Sequence, residues 1–289
     1  MSAGIMANKV LQFFLVKIII GVIVVGGLVA FSEWSLRLVL VSSPITDINK
    51  YAIISVTDIV LALAGYVLLF RFYEKRKISE LSIAGFGKNA TAGFLTGALL
   101  QSVFILVIYI AASYTITAIY PASSLLPSFT TAINAGFIAE ILLRGVLFRI
   151  TEEALGTVIA LLIQIILFTV MHINVPGGNL LSLATTVIQA GLLLPSAYIL
   201  TRSLWFPIFL HFAWDFIEPG IFGAINPGNN VGGGLFTSSI QGHWLITGGQ
   251  MGPQNSLQAF IFCSLLTVLF LWMAKKRNKF IPPSWSSRN

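Results

Sequence analysis

The chain has 289 residues, of which 56% are hydrophobic and only 9% charged, against roughly 25% charged in a soluble globular domain. That balance excludes a soluble globular protein and points to an integral membrane protein. The formal net charge of +7 does not point to nucleic acid, because Lys and Arg sit in short clusters beside apolar runs, as the cytoplasmic flanks of membrane helices do.

Val10 to Phe31 is apolar apart from Gln12 and Lys17, long enough to cross a hydrocarbon core of ~30 Å. It reads as a retained first span rather than a cleaved signal peptide, with Lys17 snorkelling or facing the bundle. Residues 32–49 carry Glu33, Arg37, Pro44 and Asp47 and read as a loop with room for a short interfacial helix. A second span runs from about Tyr51 to Phe70. It contains Asp58, expected to hydrogen-bond a neighbouring helix, with a proton or ion path as the alternative. The basic cluster Arg71 to Lys77 then marks the cytoplasmic side.

A third span, about Thr91 to Ser113, opens with Gly93 and Gly97, four apart, which lets a neighbouring backbone come close. Pro121 to Pro127 is an uncharged external turn. The fourth span, about Thr130 to Ile150, carries Glu140 and Arg144 and ends at Arg149, just before Glu152 and Glu153. The fifth, about Leu155 to Ile173, is stopped by Pro176-Gly177-Gly178. The sixth, about Leu180 to Leu200, is followed by Arg202. A seventh, about Leu204 to Glu218, is short for a full crossing. From Pro219 to Asn255 the chain is rich in Gly and Asn and reads as a long loop whose one ionisable side chain is His243. An eighth span, about Ser256 to Ala274, closes on Lys275-Lys276-Arg277-Asn278-Lys279. The single cysteine, Cys263, lies in that apolar run, so no disulfide framework or cysteine metal site is available.

The expected fold is therefore all-α: a polytopic helical membrane protein with about eight transmembrane helices, one domain over 1–289, in a bacterial-type cell membrane. Both termini are expected to be cytoplasmic. In that orientation the basic clusters after the second and eighth spans, with Arg149 and Arg202, fall inside, and the loops after the third, fifth and seventh contain no Lys or Arg. Only Arg37 and Lys50 run against it.

Beyond Lys17 and Asp58, few ionisable side chains lie inside the spans, and they gather on three of them: Glu140 and Arg144 on the fourth, His172 on the fifth, His211 and Asp215 on the seventh, with Glu218 three residues further on. Residues four apart share a helix face, so Glu140 with Arg144, and His211 with Asp215, each point one way. Unpaired in hydrocarbon, such groups cost at least ~3 kcal/mol, so they should face one another or a water-filled cavity. Three chemistries fit. A carboxylate and a histidine could activate water while the other polar pair holds an oxyanion. Two histidines with one carboxylate, His172, His211 and Glu140, could hold zinc. The groups could also relay protons or bind an ion in a transporter. No His-Glu-x-x-His or Gly-x-Ser-x-Gly pattern is present.

Glu140-x-x-x-Arg144-Gly145, Phe168-x-x-x-His172 and His211-x-x-x-Asp215, in this order on successive spans, resemble the three motifs of the CPBP intramembrane proteases. That family contains the type II CAAX prenyl endopeptidases and bacterial Abi and bacteriocin-processing or immunity proteins. The motif region is about 130–218 and the CPBP-like core about 91–274. The resemblance implies an intramembrane endopeptidase in which His172 helps to activate water, His211 with Asp215 stabilises the oxyanion, and Arg144 holds Glu140. It implies a metal-independent reaction without a cofactor. The implied partners are membrane lipids and a peptide or membrane-protein substrate, prenylated in the CAAX case.

The family's first motif begins with a Glu-Glu pair, and here its first position is Ala139. Either Glu140 takes the base role through a rotated or shifted helix, or the chain is a catalytically silent scaffold, immunity or regulatory relative, or Ala139 is an introduced change. A transporter is the third functional alternative.

Overall fold

The computed structural model describes residues 13–111, 113–224 and 234–286. Eight main helices follow one another: α1 Phe14–Leu40, α2 Asp47–Leu68, α3 Phe86–Ile110, α4 Leu126–Glu140 continuing to Leu155, α5 Thr157–His172, α6 Leu180–Thr186 continuing to Thr201, α7 Trp205–Phe216 and α8 Leu257–Lys276. Six are long and apolar enough to cross a membrane: α1, α2, α3, α4, α6 and α8, some with short flanking turns. The 16 residues of α5 and 12 of α7 make rods of ~24 and ~18 Å at ~1.5 Å per residue, short of a ~30 Å core. Six of the eight expected spans are thus full-length helices, and two are short.

Four stretches of helix among the described residues open into wider π turns: Leu69–Tyr73 following α2, Ile141–Phe148 in α4, Val187–Leu193 in α6, and Ile217–Ile221 following α7. Such turns interrupt the i→i−4 ladder and free backbone carbonyls for other partners.

The loop expected at 32–49 is largely helix. α1 runs on to Leu40 because Glu33 and Arg37, four apart on one exposed face, pair at 2.6 Å and leave no reason to end the helix at Phe31. Lys17, inside the first span, faces the bundle and lies 3.9 Å from Glu74. Asp58 is 1% exposed, with the side chains of Ser32 in α1 and Asn134 in α4 beside its carboxyl, although neither closes a well-formed hydrogen bond to it.

A second correction concerns the outer segments. Tyr114–Ile119 forms β1, which pairs antiparallel with β2, Phe236–Ile240, inside the stretch read as a long loop. Each strand is only five or six residues, too short to be recognised alone, and the two are joined across more than a hundred residues of chain.

The short helix α7 is the centre of the molecule, gripped by glycines. A Cβ at Gly93 of α3 would collide with the Phe206 carbonyl, and one at Gly97 would come 2.6 Å from the Leu210 carbonyl oxygen. From the other side, a Cβ at Gly136 of α4 would stand 3.0 Å from the Ile208 carbonyl oxygen and the Phe212 nitrogen. The small-residue pair expected to admit a neighbouring backbone admits α7.

At one end of the bundle, ion pairs knit the helix termini. Arg202 meets Glu152 at 2.5 Å, Arg76 pairs with Glu80, and Arg149 pairs with Glu153 and lies 3.5 Å from Glu74. Arg202 also donates to the Lys279 carbonyl, tying in the carboxyl-terminal tail.

Candidate active site

Glu140 is the last α-helical residue of α4, and Arg144 follows within the π turn; both side chains are fully buried. The guanidinium Nη1 donates to Glu140 Oε1 at 2.8 Å, and Nη2 donates to the Ala190 carbonyl in the π turn of α6. His211 on α7 reaches the same carboxylate oxygen, its Nδ1 lying 2.8 Å from Glu140 Oε1. Its Nε2 lies 3.4 Å from Asp215 Oδ2 one turn further on. The ring therefore bridges two carboxylates, and because carboxylates only accept, it is arranged to carry N–H on both nitrogens. With Arg144 included, two cations then balance two anions. The other atoms are less well served: Glu140 Oε2 and Arg144 Nε have no hydrogen-bond partner among the described residues.

His172 enters from the end of α5. Its Nδ1 lies 2.9 Å from the Phe168 carbonyl oxygen and donates to it, which leaves Nε2 as the ring's acceptor. Its ring stacks on Phe168, centroids 5.9 Å apart, and Arg144 sits 5.6 Å above the same Phe168 ring. Phe168 thus touches both Arg144 and His172 and links the second motif to the first.

His172, His211 and Asp215 line one cavity of about 630 Å³, bounded by α6, α7 and the loop after α5. Glu140 and Arg144 do not line it and lie behind His211. All five residues named from the sequence thus form one connected cluster, three at the cavity and two beneath it. Glu140 bonds to His211 and to no atom of His172.

The expected loop folds back over this cavity through Gln250, Met251, Gln254 and Asn255. The segment acts as a strap. Trp214 Nε1 donates to Gln254 Oε1 at 2.7 Å, and Gln189 Nε2 donates to the Gln254 carbonyl at 2.6 Å. Behind Trp214, fully buried Gln101 of α3 lies 3.0 Å from Glu218, to which its amide donates. His243 stays off the cavity and accepts from the Leu245 amide of a short helical turn. Gln101 and Gln189 were each visible in the sequence as the lone amide of an apolar span; Gln254, in the Gly- and Asn-rich stretch, carried no such signal. Among the described residues no group of three or more His, Cys, Asp or Glu side chains is placed to hold a metal ion.

Residues 121–217, about a third of the chain, match the family model of the type II CAAX prenyl endopeptidase Rce1-like proteins. The matched segment contains Glu140, Arg144, His172, His211 and Asp215, so the resemblance to the CPBP and CAAX proteases is borne out where the motifs lie. No curated protein and no solved structure matches the chain.

Proposed function

We propose that this integral membrane protein, of the CAAX protease family over residues 121–217, is an intramembrane endopeptidase of a bacterial-type cell membrane that hydrolyses a peptide or membrane-protein substrate. The observation that carries the reading is the meeting of His172, His211 and Asp215, from the second and third motifs, on one cavity inside an apolar bundle.

The chemistry follows from the free atoms. With Nδ1 committed to Phe168, the His172 Nε2 accepts a proton from a cavity water as that oxygen attacks the substrate carbonyl. Negative charge then develops on the carbonyl oxygen. The loosely held Nε2–H of His211, 3.4 Å from Asp215, is the donor available to it. Glu140 beneath the ring supports the imidazolium, and Arg144 holds Glu140, so both are positioning residues. The proton on His172 passes to the leaving amine as the C–N bond breaks. The products are a carboxylate and an amine terminus, and the imidazole is restored.

Cleavage of a candidate peptide by purified protein tests the proposal. His172→Ala should lower the rate by ~10²–10⁴, the usual range for general acid–base groups. Ala139 favours a second reading, a catalytically silent relative acting as scaffold, immunity or regulatory partner. Activity that is absent with Ala139 and emerges in Ala139→Glu supports that reading; activity with Ala139 that His172→Ala removes excludes it.

A further inference from the structure

The walls of the cavity come from one end of the bundle. His172 closes α5, Thr186 to Leu194 run through the middle of α6, Leu210 to Asp215 lie in the second half of α7, and the strap stands just before α8. The basic side chains gather at the opposite helix ends. Arg76, Arg149 and Arg202 surround a separate small cavity of about 110 Å³ with Glu80 and Glu152, and Lys275 and Lys276 close α8. Under the positive-inside bias the basic end is cytoplasmic, so the candidate active site opens toward the other face.

The lining has a distinct chemistry. Among the described residues no Lys or Arg lines the cavity, and Asp215 is its one carboxylate. Arg144, the nearest guanidinium, is fully buried and already committed to Glu140 and Ala190. The one cationic group at the cavity, the His211 ring, already lies between Glu140 and Asp215, so a substrate terminus carrying a free carboxylate would meet Asp215 with no unpaired cation to offset the repulsion. Side-chain amides are abundant instead: Gln189, Gln250, Gln254 and Asn255. An amide offers both donor and acceptor, the pairing that a peptide backbone needs. The Gln254 carbonyls are taken by Trp214 and Gln189, which leaves its side-chain N–H free, and the Gln250 amide makes no hydrogen bond among the described residues. Leu193, Leu194 and Leu210 supply apolar lining beside them.

We infer that the cavity takes an uncharged internal stretch of polypeptide presented on the face away from the basic clusters, gripped by the Gln250 and Gln254 amides, and not a chain end with a free carboxylate. The inference rests on the endopeptidase reading for its substrate to be a peptide.

Two measurements test it, and neither needs turnover. In a Cys263→Ser background, Gln250→Cys and Lys276→Cys are each challenged with a membrane-impermeant maleimide, in intact bacterial host cells and in inverted vesicles. Both native side chains are exposed, whereas Cys263 is buried. Gln250→Cys should label in intact cells and Lys276→Cys in inverted vesicles alone; the reverse pattern overturns the orientation. In the second, detergent-purified protein is titrated with a fluorescein-labelled peptide of Ala, Leu, Val, Gly and Ser, as the free acid and as the carboxyl-terminal amide. The amide should bind at least as tightly as the acid, and Gln250→Ala with Gln254→Ala should weaken it about tenfold, the worth of one or two hydrogen bonds. Tenfold tighter binding of the acid, no effect of the double substitution, or no binding of either form by folded protein overturns the substrate class. Binding without cleavage leaves this inference standing and counts against the endopeptidase reading.

Discussion

At the scale of single residues, the Glu140 carboxylate is the pivot. One of its oxygens serves both Arg144 and His211, at 2.8 Å each, in a site that water does not reach. Removing that charge leaves a guanidinium buried without a counter-ion, which typically costs ~3–5 kcal/mol, whereas replacing both partners by apolar groups of similar size is far less costly. Glu140→Gln should therefore lower the unfolding midpoint in detergent markedly. Glu140→Gln combined with Arg144→Met should lie well above the sum of the two single effects. Additive losses in that cycle would show that the pair is not coupled. Ala139 has no group that can take a proton, and Glu140 cannot simply fill its place, because adjacent helical side chains diverge by about 100°.

At the scale of elements, the site depends on a helix too short to cross the membrane by itself. His211 and Asp215 are placed by α7, and α7 is placed by Gly93, Gly97 and Gly136. Leucine at Gly97 or Gly136 should push α7 outward, costing ~1–3 kcal/mol by overpacking and reducing peptide binding together with stability. Gly26 in α1 has open space where a side-chain carbon would stand, so Gly26→Leu is the control expected to leave the thermal midpoint unchanged. The π turns matter at the same scale. Those on α4, α6 and α7 bracket the cluster, and the one in α6 contributes the Ala190 carbonyl that Arg144 uses.

At the scale of the whole molecule, charge is segregated along the bundle. The basic end is closed by ion pairs between α2, α4, α6 and the tail, and the opposite end holds the cavity under its strap. Glu80 reports on the closed end. Burial pushes its carboxyl up, but hydrogen bonds from Arg76 and Tyr66 outweigh that and hold it below the usual 4.5. A carboxyl lowered on folding adds stability that is present above its unfolded pKa and lost as pH falls through its folded value. The thermal midpoint should accordingly drop as pH is taken from neutral to below about 4. Glu80→Gln should start lower at neutral pH and show a shallower drop; an unchanged pH profile in that variant would rule out Glu80 as a source of it.

Membrane character, the order of the helices and the five polar side chains were legible in the sequence, because a bilayer punishes charge so heavily that each ionised group in a span stands out. Other features had no local signature. The continuation of α1 to Leu40 rests on an ion pair that neutralises the charges read as a loop. The β1–β2 pairing and the strap depend on contacts between segments far apart in the chain, and Gln254 becomes a site residue only because Trp214 and Gln189 hold it there. Composition and spacing alone determined that this is a helical membrane protein with a few ionisable side chains gathered on three of its helices, a pattern that resembles the CPBP motifs. Tertiary structure decided that Glu140 bonds to His211, that His172, His211 and Asp215 share a cavity, and that amides roof it. The physical reason is that hydrophobicity and like-face spacing are written along one helix, whereas a hydrogen bond between helices exists only once packing has set their rotation and depth.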